Sequence, residues 1–149
     1  MVKFKNYILL VLILLGLVLR LYGLGWRSLW FDEASSIFKA LPSYSFFDLI
    51  SFKYLLTMTE LPLFSIILHF WSHLGNSEFI LRLLPLIFSV FSIFLICKIG
   101  ELVFNIKTGL IAAFILAISP FSIYYAQELR TYSLNIFLAL LAVYYLVQS

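Results

Sequence analysis

Four stretches of this 149-residue chain run for about twenty residues each with few charges, at 7–26, 79–104, 108–126 and 132–149. A helix of that length covers the roughly 30 Å hydrocarbon core of a bilayer. Composition agrees: 64% of residues are hydrophobic and 11% charged, against about 45–50% and about 25% in an ordinary globular domain. Too little polar surface remains to coat a soluble body. The expected fold class is all-α, a polytopic membrane helix bundle, and the 19% share of aromatic residues suits contact with lipid and its interfaces. A net charge of +3 gives no reason to expect a nucleic-acid partner. The single Cys97 offers neither an intrachain disulfide nor a metal-site spacing, and reads as a small hydrophobe.

The first apolar run has neither the short core nor the small-residue cleavage site of a signal peptide, so it reads as an anchor. Lys3 and Lys5 before it, and Lys98 and Lys107 around the break between the second and third runs, place those ends on the cytoplasmic side by the positive-inside rule. Arg20, close to the far end of the first run, is expected to snorkel to the interface. Residues 27–78 then form one outer loop carrying juxtamembrane amphipathic helices. Within it, 61–74 has about fourteen mostly apolar residues, starts beside Pro62 and carries His69 and His73. That length suits an interfacial or re-entrant helix better than a crossing. In the third run Pro120 marks a kink or an end. This topology gathers Asp32, Glu33, Glu78, Arg82, Glu128 and Arg130 at the outer face.

Three charged clusters stand at span ends, where ionisable residues collect in cavities and pathways. SLWFDEASS, Ser28 to Ser36, sets Asp32 beside Glu33. It reads as a helix start whose acids complement the dipole, or as part of a polar site. Helical neighbours diverge by about 100°, so one of the two acids can enter a common site. EFILRLLP, Glu78 to Pro85, offers a Glu78–Arg82 pair in the favoured i, i+4 order. SPFSIYYAQELRTYS, Ser119 to Ser133, packs Gln127, Glu128 and Arg130 among Tyr124, Tyr125 and Tyr132, either as an aromatic belt or as a binding surface. His69 and His73 share a helical face but lack a third metal ligand nearby. The chain has no Gly-rich phosphate loop, no GxSxG and no CxxC; nothing in it calls for a cofactor, and a divalent metal is left open.

Taken in order, LRLYGLGWRSLWFDEASS, NSEFILRLLPLIFSV and SPFSIYYAQELRTYSL resemble the membrane-embedded glycosyltransferases of the C superfamily, in the branch of protein O-mannosyltransferases and aminoarabinose-transferase-like enzymes. The chain departs from that branch at ELPL, Glu60 to Leu63, where many members have histidine in place of Glu60. The resemblance implies transfer of a hexose or pentose from a polyprenyl-phosphate-linked donor to a protein, lipid or glycan acceptor. It places the chain in the cell (inner) membrane with its active side outward. It also implies that these residues hold the front part of a longer protein and are inactive alone. On that implication Asp32 is the catalytic base and Glu33 holds the constellation. Arg82 and Arg130 meet the phosphate, Glu128 positions sugar hydroxyls or orients Arg82, and Glu60 serves as a polar substrate contact. The rival reading is a non-enzymatic membrane subunit of a transporter or complex, whose outer charges are interface pairs only.

Overall fold

The computed structural model describes residues 2–26, 28–40 and 62–149. Among them lie seven helices and no strand: α1 (Val2–Leu21), α2 (Phe31–Ala40), α3 (Pro62–Ser72), α4 (Glu78–Val103), α5 (Ile106–Ile118), α6 (Pro120–Ala126) and α7 (Tyr132–Gln148). The all-α expectation holds for these residues. By length and composition α4 can cross a membrane, and the bent pair α5 plus α6 is a second candidate.

α4 is the central element and packs on α1, α5 and α7. One half of the core joins Leu9 and Leu12 of α1 to Ile93 and Cys97 of α4 and to Ala113 and Ala117 of α5. Cys97 is wholly buried there, acting as the small hydrophobe its setting suggested. The other half joins Phe64 and Leu68 of α3 to Leu81, Leu84, Leu129 and Leu134. α3 has 11 residues and reaches about 16 Å at 1.5 Å per residue, well short of a bilayer core. Its Phe64, Leu68 and His69 face is buried in the molecule, so it docks on α4 through one flank.

The α4–α5 hairpin needs glycine. A Cβ placed on Gly100 would sit 2.7 Å from the Gly109 Cα and 3.0 Å from its N, closer than real side chains come to backbone. The two glycines let the helices touch main chain to main chain, and Asn105 starts α5 by accepting the Thr108 N–H at 3.0 Å, an ordinary N-cap. Beside this turn Lys5 pairs with Glu101, and Lys98 lies 3.6 Å from the same carboxylate. α1 and α4 are therefore antiparallel, and the lysines share the end of the bundle opposite Asp32 and Arg82.

The third apolar run breaks, with a 60° bend between α5 and α6. Pro120 fits the first position of α6, where its missing N–H costs nothing, but it has no N–H to give the carbonyl of Leu116. Arg20 makes good that loss. Its Nη2 donates to Leu116 O at 3.1 Å and its Nη1 to Ala117 O at 3.0 Å. The remaining donors reach Gly16 O, Ser89 Oγ and Ser122 Oγ at 3.0, 2.8 and 2.8 Å. Five N–H groups meet five acceptors, and the side chain is wholly buried. The expectation that Arg20 snorkels is corrected. The negative end of α5's dipole and the carbonyls freed at Pro120 hold the guanidinium inside the bundle.

Candidate active site

The chain leaves α1 through a turn in which Gly23 takes φ +78°, a left-handed conformation that glycine adopts freely. That turn buries Leu24 and delivers residues 28–30 to the start of α2. Trp30 precedes the first helical residue, which makes Glu33 the third. Its Oε2 accepts the Trp30 N–H at 3.4 Å, the return arm of a capping box. The helical period then separates the two acids as expected. Glu33 turns inward and is 1% exposed, whereas the Asp32 side chain is 47% exposed.

Glu33 binds three elements at once. Arg82, one turn into α4, donates Nε to Oε1 at 3.2 Å and Nη2 to Oε2 at 2.7 Å, a side-on fork matched to a carboxylate. The Leu129 N–H, in the α6–α7 connection, reaches Oε1 at 2.8 Å. Arg82 also donates Nη1 to Leu24 O at 3.2 Å, and its second carboxylate neighbour is Glu78 at 3.9 Å. The i, i+4 pair foreseen for Glu78 and Arg82 is thus the weaker of two. The close partner lies 49 residues away, because burial favours the carboxylate that can desolvate together with the guanidinium. Such a pair gains most from being complete: leaving one partner alone inside a protein costs about 3–5 kcal/mol.

A second pair borders the first. Arg130 places Nη1 at 3.7 Å from an Asp32 carboxylate oxygen and donates to the Asp32 carbonyl at 3.4 Å. Its guanidinium also lies 5.9 Å from the Tyr132 ring centre, within cation–π range. Gln127 ties this segment back to α1, its Nε2 donating to Arg20 O at 3.0 Å and Tyr22 O at 2.8 Å. Between these parts opens a cavity of about 160 Å³, with Trp30, Glu33, Arg82, Tyr124, Gln127 and Glu128 in its wall. Glu128 is 8% exposed. Its carboxylate has no hydrogen-bond or ion-pair partner among the described residues.

Five of the six residues singled out from sequence therefore meet at one end of the bundle. Glu60 lies outside the described residues. Within the five, Glu33 and not Asp32 occupies the cavity wall, and Arg82 is engaged by Glu33 and Leu24. Tyr124 and Gln127, expected in an aromatic belt or a binding surface, stand in the cavity wall, and so does Trp30, which the sequence did not single out although it lies inside a quoted motif. Sequence reasoning also underrated Arg20, which the rarity of charge inside an apolar run could have flagged. His69 and His73 stack edgewise, 5.3 Å between ring centres, and His73 Nδ1 lies 2.9 Å from the His69 carbonyl. No group of three or more His, Cys, Asp or Glu among the described residues could hold a metal ion.

Comparison with known proteins adds one match. The family model described as dolichyl-phosphate-mannose-protein mannosyltransferase matches residues 59–149, well over half of the chain. No curated protein and no solved structure matches. The matched segment contains Arg82, Glu128 and Arg130 and begins after Asp32 and Glu33. Contacts of Glu33 with Arg82 and Leu129 join the unmatched front of the chain to it.

Proposed function

We propose that this chain, which belongs to the dolichyl-phosphate-mannose-protein mannosyltransferase family, moves a sugar from a polyprenyl-phosphate carrier to an acceptor hydroxyl at the outer face of a membrane. The observation that carries the reading is that Glu33, Arg82 and Glu128 share the wall of one cavity and the Asp32–Arg130 pair borders them, all at the end of the bundle away from Lys5 and Lys98. On this reading α1, α4, the bent α5 plus α6 and α7 cross the membrane, making the protein multi-pass. The lysine end is cytoplasmic.

In the transfer, the acceptor oxygen forms a bond to the anomeric carbon while the bond from that carbon to the phosphate oxygen breaks. The acceptor loses its proton and the lipid phosphate gains negative charge. Asp32 is the group we assign as proton acceptor: its carboxylate is half exposed and can approach an incoming hydroxyl. Arg130, beside it, meets the departing phosphate with a planar set of donors. Arg82 is assigned a different part from the one its charge suggests. With its fork spent on Glu33, it positions α2, and so Asp32, against the α6–α7 connection.

The test is transfer by the intact enzyme in lipid nanodiscs. Asp32→Asn keeps the size and removes the proton acceptor, so turnover should fall about 10²- to 10⁴-fold, the usual worth of a general base. Carrier binding should change little. Arg130→Ala should weaken binding of the anionic carrier instead. Normal turnover by the Asp32→Asn enzyme would refute the assignment.

A further inference from the structure

The carboxylates of Asp32, Glu33 and Glu128 stand at this end of the bundle, the last two in the cavity wall, and their neighbours distinguish them. Glu33 is filled by Arg82, the Leu129 N–H and the Trp30 N–H. Asp32 faces outward to Arg130. Glu128 is more than nine-tenths buried and stands in the cavity wall, yet its carboxylate meets no hydrogen-bond or ion-pair partner among the described residues. No side-chain oxygen among the described residues is both sealed from solvent and unpartnered, so the Glu128 oxygens open on the cavity, where only water or a bound molecule can meet them. The described residues therefore leave an acceptor group open to whatever enters the cavity.

Resting on the glycosyltransferase reading above, we propose that Glu128 receives two neighbouring hydroxyls of the donor's sugar, and that this cavity is the sugar's pocket. An ionised carboxylate only accepts hydrogen bonds and has two oxygens to do it with. Its occupant must present N–H or O–H donors, and a pair of adjacent hydroxyls matches two oxygens one for one. The Arg82 guanidinium already fills the cationic place in the same wall, where Glu33 holds it, which favours a neutral polyhydroxyl occupant over an ammonium. Trp30 adds a flat apolar wall for the C–H side of a sugar ring. At about 160 Å³ the cavity is smaller than the ~300–1,000 Å³ of ordinary small-molecule sites. It suits one sugar unit, with the lipid and the acceptor outside.

The experiment compares binding of sugar-loaded and bare polyprenyl phosphate to the intact enzyme and to Glu128→Gln in lipid nanodiscs. The intact enzyme should hold the loaded carrier about 10- to 100-fold more tightly than the bare one, the weight of one charge-assisted hydrogen bond or somewhat more. Glu128→Gln should lose most of that increment with bare-carrier affinity unchanged. The substitution breaks no ion pair among the described residues, so the fold should persist. As a check that needs no variant, carriers whose sugar lacks one hydroxyl should bind the intact enzyme about tenfold more weakly for two adjacent positions on the ring. Equal binding of loaded and bare carrier by the intact enzyme, an increment kept by Glu128→Gln, or indifference to every single deoxygenation would overturn the sugar pocket and leave the glycosyltransferase reading standing. Failure of the intact enzyme to bind either carrier would overturn both.

Discussion

Arg20→Met keeps the length and most of the volume of the side chain while removing every donor. Five hydrogen bonds disappear, but they are not equivalent. Gly16 lies one turn back in the same helix, and its carbonyl keeps the α-helical position opposite the Arg20 main-chain N–H. Ser89 and Ser122 stand 3.4 Å apart and can bond to each other. Leu116 O and Ala117 O, at the end of α5, have no such recourse. A buried polar group stripped of its partner costs about 1–3 kcal/mol, so the two carbonyls together cost about 2–6 kcal/mol. Removing an unpaired charge from the bundle interior works in the other direction. The single variant therefore mixes two terms, and a cycle with Pro120→Ala separates them. Alanine restores an N–H that can reach Leu116 O, so Arg20→Met should cost about 1–3 kcal/mol less in the Pro120→Ala background. The charge term is common to both arms and cancels. Unfolding in mixed micelles, followed by circular dichroism for the four proteins, gives the coupling. A value within about 0.5 kcal/mol of zero would refute the claim that Arg20 stands in for the amide proton proline lacks.

Other outcomes follow from the same contacts. Glu33→Gln leaves Arg82 charged and buried with a neutral partner, and should destabilise the protein by about 3–5 kcal/mol; replacing both residues by apolar ones of similar volume should recover much of that loss in the same unfolding assay. Gly109→Val forces a branched side chain into main-chain contact with α4, and should lower the unfolding midpoint well beyond the effect of a valine at exposed Ile111. In intact cells, a cysteine at exposed Asn76 should react with an impermeant thiol reagent and one at exposed Lys107 should not. Buried Cys97 gives little background, and labelling of both sites, or of Lys107→Cys alone, would reverse or dismantle the proposed topology.

Much of this arrangement is legible in the chain. Apolar runs of about twenty residues in a chain this poor in charge span a bilayer as helices, so the all-α class followed from length and composition. Pro120 announced the break in the third run because proline cannot continue a helix through its own missing N–H. The 100° offset between adjacent helical residues meant that Asp32 and Glu33 would part company. Which of them turns inward was not legible, because the answer depends on Arg82 in α4 and the Leu129 amide, 49 and 96 residues away.

The same limit explains Arg20. Its interfacial position in the sequence favoured snorkelling, and local reasoning had no view of two carbonyls freed 96 and 97 residues later. Glu78 looked like the partner of Arg82 because spacing along a helix is visible in sequence, whereas a better-buried competitor on another helix is not. Spacing, length and charge placement by themselves determined the helices, the break and the end of the bundle where the acids and arginines collect. Only the tertiary structure decided the pairing. Burial raises the cost of every unmatched charge or carbonyl, and the partners that meet that cost are chosen by packing between distant helices. That selection left Glu33 closed, Asp32 outward and Glu128 open to the cavity.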